Sequence, residues 1–206
     1  MLNKLERRII DVSYKNRLPH IGSCLNSVSI VDKIYMVKKK DDPFILSNGH
    51  AGVALYAVLE KYEGKNAEEL FEKHGTHPNR DLKDGIWAST GSLGQGLAIG
   101  VGMALADKTR NVYVLLSDGE CAEGSIWEAL RIAGEKRIEN LRVMVAANGL
   151  GGYSHIDADI LEMRIPNFYP CVVVKTNMLR WPSFLNGLSG HYAVMNKKQY
   201  GEAITL

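Results

Sequence analysis

Two nearly unbroken apolar runs, NVYVLLS at 111–117 and LRVMVAA at 141–147, flank AEGSIWEALRIAGEKR, in which Ile126, Leu130 and Ala133 recur on one side of a helical period. A strand without polar alternation is covered on both faces, the condition of a central strand in a parallel sheet. The unit therefore reads strand, helix, strand, with the strands parallel, because a crossover long enough to form a helix returns the chain to the same edge. This restricts the fold to α/β: a doubly wound, mainly parallel sheet with helices on both faces.

The rest of the chain is consistent with one domain over residues 1–206. No internal repeat, low-complexity tract or linker divides it, and 46% hydrophobic residues suffice for a core. Leu2, Leu5, Ile9 and Val12 place an amphipathic helix in the first 17 residues, ending before Pro19. After a loop, LPHIGSC, residues 25–37 carry a second apolar stripe. SNGHAGVALYAVLEKY reads as a helix with Asn48 and His50 in its first turn, and NAEELFEKH as a short surface helix. Residues 74–92 lack periodicity and are rich in His, Asp, Asn and Gly, as a functional loop is. The run LGQGLAIGVGMALADK holds Gly94, Gly96, Gly100 and Gly102, each costing about 1 kcal/mol against Ala in a helix interior, which implies close packing there. CVVVKTNM at 171–178 reads as a further strand, and the tail ends in a helix.

Charge narrows the function classes. Twenty-five Lys plus Arg against 23 Asp plus Glu give a formal +2, with no basic run beyond 38–40, so nothing points to nucleic acid. No stretch of 18 apolar residues and no apolar signal core at the N-terminus occur, so neither membrane spanning nor secretion is expected, and a cytoplasmic location is. Cys24, Cys121 and Cys171 have no C-x-x-C spacing and read as plain thiols.

The chemistry-bearing residues gather at the two strand ends. Asp118 ends the first apolar run and Asn148 the second; if the strands are neighbours, they lie on one sheet edge about 4.8 Å apart. An Asp between strand and helix is also an ordinary N-cap, and the residues alone leave both readings open. In the functional one, the Asp118 carboxylate, the Asn148 side-chain oxygen and the Leu150 carbonyl form one face of an octahedral Mg2+ site. Gly119 then admits close backbone approach, and the N-terminus of the following helix offers N–H groups to a phosphate. Such an edge is where open α/β sheets bind ligands.

LLSDGECAEGSIWEA followed by NGL resembles the thiamine diphosphate motif, a GDG, an intervening helix and an Asn. LPHIGSC, DPFILSNGHAGVALY, GTHPNRD, STGSLGQGLAIGVGMALA and VVVKTNM are similar, in order, to further segments of transketolase. The chain resembles the N-terminal, diphosphate-binding half of that family, especially the split kind in which the halves are separate polypeptides. The match is nearly continuous to about residue 150 and patchy beyond.

The resemblance implies transfer of a two-carbon ketol unit between sugar or sugar-phosphate substrates, with thiamine diphosphate and Mg2+ or Ca2+ as cofactors. It implies ligand-facing roles for His20, His50 and His77, and a place for Glu123 in a proton network between paired sites. Gly91, Ser92 and Leu93 would hold the aminopyrimidine ring; Gly119, Glu120, Asn148 and His191 would contact the cofactor, with His50. His74 and His155 have no matching role and read as solvated loop residues. A second polypeptide carrying the pyrimidine-binding half would complete the site in an α2β2 assembly. Other readings are a subunit of a thiamine diphosphate-dependent 2-oxo acid decarboxylase or dehydrogenase, and a degenerate, non-catalytic subunit. Two departures stand out: Ser117 replaces a Gly, and one αβ unit is absent between Asn148 and the last strand, which should narrow the sheet and expose an edge or face.

Overall fold

The computed structural model describes residues 2–151, 154–177 and 180–206. Four parallel strands, β1 (Phe44–Leu46), β2 (Val112–Ser117), β3 (Leu141–Ala147) and β4 (Cys171–Lys175), form one sheet in the order β1-β2-β3-β4. The expected strand, helix, strand unit is β2, α6 (Gly124–Glu135) and β3, with Ser117 beside Ala146 in register.

The sheet divides the interior into two apolar clusters. On one face Val112, Val114, Leu116, Val143 and Val145 pack against α5 (Gln95–Ala106), α6 and α7 (Ala158–Arg164). On the other, Phe44, Leu46, Leu115 and Ala146 join a larger cluster built on α1 (Lys4–Lys15), α2 (Ile21–Val37) and α3 (Gly52–Glu63). The first helix is fixed at its start by a capping box, in which Asn3 and Glu6 satisfy each other's backbone N–H groups. Two short helices, α4 (Ala67–His74) and α8 (Lys197–Ile204), begin on the Asn66 and Asn196 side chains. Among the described residues no helix is long and apolar enough to cross a membrane.

Several boundaries differ from those expected of the sequence. The second helix starts at Ile21, inside the expected loop, because it is buried on nearly all sides and so shows no stripe at its start. Asn48 and His50 precede the third helix: His50 lies in a 3-10 turn at Gly49–Ala51, and Asn48 stands just before that turn. The three-residue strand β1 is too short to show a period. The last strand ends at Lys175; Met178, expected within it, lies outside the described residues. His74 is not solvated: it is 7% exposed and its Nε2 lies 2.9 Å from Asp84. His155 is exposed, as expected.

Of the α5 glycines, Gly96 and Gly100 are close contacts: a Cβ would come within 2.5 Å of Ser47 Oγ and 2.4 Å of Val114 Cγ2. Gly102 has open space around its Cα and no such reason to be glycine. Between Asn148 and β4 the described chain supplies only α7 and a 3-10 turn at Ile165–Asn167. The last strand is an edge, with Val172 60% exposed.

Candidate active site

The carboxyl ends of β1, β2 and β3 open into a cavity of about 290 Å3. Its floor is the paired strand ends. Asp118 is 2% exposed and accepts hydrogen bonds from the N–H groups of Asn148 (2.9 Å) and Gly149 (2.8 Å) through Oδ2, and of Gly119 (2.9 Å) through Oδ1. Asn148 Oδ1 accepts the Leu150 N–H at 2.8 Å. Asp118 and Asn148 both line the cavity at adjacent strand ends, as does Leu150. Burial pushes the Asp118 carboxyl upward while the three N–H bonds pull it down.

Three histidines from distant segments meet in the same cavity. His20 stands before α2 in a left-handed conformation (φ 62°), His50 in the 3-10 turn after β1, and His191 in a helical turn at Leu188–Tyr192. Ring centroids are 5.1 Å apart for His20 and His50, 4.6 Å for His20 and His191, and 5.3 Å for His50 and His191. His77 joins them across the cavity, its ring packed so tightly on Gly91 that a Cβ there would sit 2.8 Å from His77 Cδ2. Burial, then the neighbouring His191 and His77, lower His20 to about 4; burial, then His20, His191 and His77, lower His50 to about 3. Burial also lowers His191. His20 and His50 are therefore neutral at physiological pH, and each can donate one hydrogen bond and accept another.

The expected residues divide into two groups. Gly91, Leu93, Gly119, Asp118, Asn148, Leu150 and the histidines at 20, 50, 77 and 191 line the cavity. Ser92 and Glu123 are exposed and do not line it. The Glu120 side chain turns away from it and is 0% exposed. Its Oε1 accepts from Ser47 Oγ (2.6 Å) and Gly94 N–H (3.0 Å), and its Oε2 from Ser117 N–H (3.1 Å). The carboxylate is thus enclosed by protein and is absent from the residues that line the cavity. The helix terminus expected beside Gly119 is also displaced: a 3-10 turn, Gly119–Ala122, intervenes before α6.

Ser23, Asn26, Asn48 and Tyr192 also line the cavity; the sequence gives Asn48 a place beside His50 but no role, and it does not single out the other three. Asn26, 3% exposed within an apolar helix, carries a legible signal, a polar residue inside a buried stripe. Tyr192 carries none.

The cavity fits an oxygen-rich ligand and a hard cation. Asp118, Asn148 and Leu150 offer a carboxylate, an amide oxygen and a carbonyl, the donors Mg2+ and Ca2+ take. His20 Nδ1 and Asn48 Oδ1, which belong to two of the lining residues, are buried without a partner, as groups aimed at a ligand are. Gly119 approaches Gly151 so closely that a Cβ would lie 3.2 Å from its carbonyl oxygen. Among the described residues, the grouping of His74, Asp81 and Asp84 side chains is also close enough to share an ion. There, however, the Lys73 ammonium already bonds Asp81 (2.8 Å) and Asp84 (2.6 Å).

The family model described as "Transketolase, thiamine diphosphate binding domain" matches residues 32–163. The chain belongs to the transketolase family. It is 32% identical over 167 residues to one of the subunits of apulose-4-phosphate transketolase from Phocaeicola vulgatus, covering 71% of this chain and 59% of that protein. It is 34% identical over 159 residues to a 6-deoxy-6-sulfo-D-fructose transketolase subunit of a Clostridium species, covering 68% and 58%. The chain thus spans little more than half the length of these curated relatives. Among solved structures, a variant transketolase from Pichia stipitis superposes with a TM-score of 0.73 at 23% identity, over 98% of this chain and 39% of that one. Transketolase from Campylobacter jejuni superposes at 0.69 and 20% identity, over 98% and 43%. These structures share the fold.

Proposed function

We propose that this chain is a single-domain, diphosphate-binding subunit of a two-chain, transketolase-like enzyme. It would move a two-carbon ketol unit between sugar or sugar-phosphate substrates, using thiamine diphosphate and Mg2+ or Ca2+. The observation carrying this reading is the meeting of Asp118 and Asn148 at adjacent strand ends, in one cavity with His20, His50, His77 and His191. The two relatives named as transketolase subunits support a separate partner chain, which in this reading carries the pyrimidine-binding half. An α2β2 assembly in the cytoplasm completes the proposal.

When bound, thiamine diphosphate supplies the nucleophilic carbon and the electron sink for carbon–carbon cleavage. Asp118, Asn148 and the Leu150 carbonyl would hold the cation, and Gly119 would let the backbone approach the diphosphate. The protein's remaining work is proton management. Neutral His20 and His50 would each donate one ring N–H as a hydrogen bond to a sugar oxygen that gains charge and offer the other ring nitrogen as acceptor to a hydroxyl, with His191 beside them. Four histidines in one cavity favour a polyhydroxylated substrate over a 2-oxo acid, whose carboxylate is better met by a fixed cation.

The test combines calorimetry with turnover. The chain should bind Mg2+ with thiamine diphosphate, and ketol transfer should appear only when a candidate pyrimidine-half polypeptide is added. Full turnover by the chain alone would refute the two-chain reading, and absence of cofactor binding even with the partner would favour a degenerate, non-catalytic role.

A further inference from the structure

We infer that Glu120 is a positioning residue, whose buried carboxylate sets the spacing between the diphosphate end of the cavity and the Gly91–Leu93 loop. The inference rests on the cofactor reading above and extends it to a side chain that faces no ligand. Three cavity-forming segments are tied to this one carboxylate, each within a few residues of a group lining the site. Ser47, bonded at 2.6 Å, directly precedes Asn48; Gly94, at 3.0 Å, directly follows Leu93; Ser117, at 3.1 Å, directly precedes Asp118.

The energetics point the same way. Glu120 is 0% exposed, and among the described residues no Lys or Arg pairs with it. An acid buried without a countercharge is costly unless it is hydrogen-bonded, and here the three bonds from separate segments meet that need. Removing the acceptor would leave buried donors in three segments unsatisfied, which is why one side chain can fix the distances between them. Nor is there slack around the joint. A Cβ at Gly96 would lie 2.5 Å from Ser47 Oγ, and one at Gly94 would lie 2.4 Å from Ser125 Oγ, so the loop cannot shift toward its neighbours without a clash.

Calorimetry with two probes separates positioning from general damage. Mg2+ with inorganic pyrophosphate engages only the Asp118 end, whereas Mg2+ with thiamine diphosphate reaches the Gly91–Leu93 loop as well. In the full-length chain, Glu120→Gln should bind pyrophosphate within about threefold of wild type and thiamine diphosphate about tenfold more weakly. Equal loss of both probes, or loss of neither, would overturn the inference. If Glu120→Gln does not fold, Ser47→Ala removes one of the three bonds and must show the same selective loss, smaller in size; an unchanged ratio of affinities overturns the inference there too. A wild-type chain that binds pyrophosphate but gains nothing from the thiamine moiety would sink the cofactor reading itself, and this inference with it. Wild-type discrimination that survives in Glu120→Gln sinks only the role of Glu120.

Discussion

Asp118 accepts three backbone N–H groups and, in the proposed function, also holds the cation; the two roles make different demands on a substitution. As a cation ligand it needs charge; as the acceptor for three backbone N–H groups it closes the loop that carries Asn148. Removing the side chain leaves buried donors unsatisfied, so Asp118→Ala should lose about 1–3 kcal/mol of stability as well as Mg2+-dependent diphosphate binding. Asp118→Asn, which keeps an acceptor, should lose the binding with a smaller stability change. Denaturant unfolding beside calorimetry distinguishes the two losses, and unchanged diphosphate affinity in both variants would remove Asp118 from the site. The histidines give a pH signature. His20 titrates near 4 in the folded chain against an ordinary 6.5, so the unfolded chain binds its proton first and stability falls as pH drops through that window. His50 extends the window to about 3. Asp118 and Glu120, with raised values, act in the opposite sense, so the comparison must be between variants. His20→Gln should lose less stability than wild type between pH 7 and pH 5; identical slopes would mean that the His20 ring is not held neutral.

Helix α5 shows how far an element is legible before its neighbours are known. Four glycines in an apolar run imply close packing, yet a glycine's cost in a helix is the same whatever surrounds it. Tertiary contact separates them. Gly100→Ala puts a methyl against Val114 and should cost about 1–3 kcal/mol by overpacking. Gly102→Ala meets nothing within 4 Å and should gain up to about 1 kcal/mol of helix propensity. Thermal unfolding of the two variants should move in opposite directions, and shifts of the same sign would contradict this packing. The same distinction explains the start of α2. The amphipathic first helix announces its boundaries through its polar face, whereas a helix buried nearly all round has no face to announce, so local pattern does not show that a helix begins directly after His20.

At the scale of the whole molecule, the sheet separates two cores that share their strands, so one cooperative unit is expected over residues 1–206. Leu130→Ala on one side and Ile34→Ala on the other should each cost about 2–5 kcal/mol and lower a single common transition. Two separable transitions would divide the chain into two folding units. The sequence by itself determined the parallel β2-α6-β3 unit and the meeting of Asp118 with Asn148. Both follow from local period and chain connectivity: two doubly covered strands joined by one helix have few ways to lie. It also placed His20, His50 and His77 through motif resemblance, which carries position without geometry. Only the tertiary structure decided that Glu120 faces inward, that Ser92 and Glu123 stand outside the cavity, and that His191 closes the imidazole cluster. Those outcomes depend on which way a side chain points once segments far apart in the chain are packed together, and no local pattern encodes that direction.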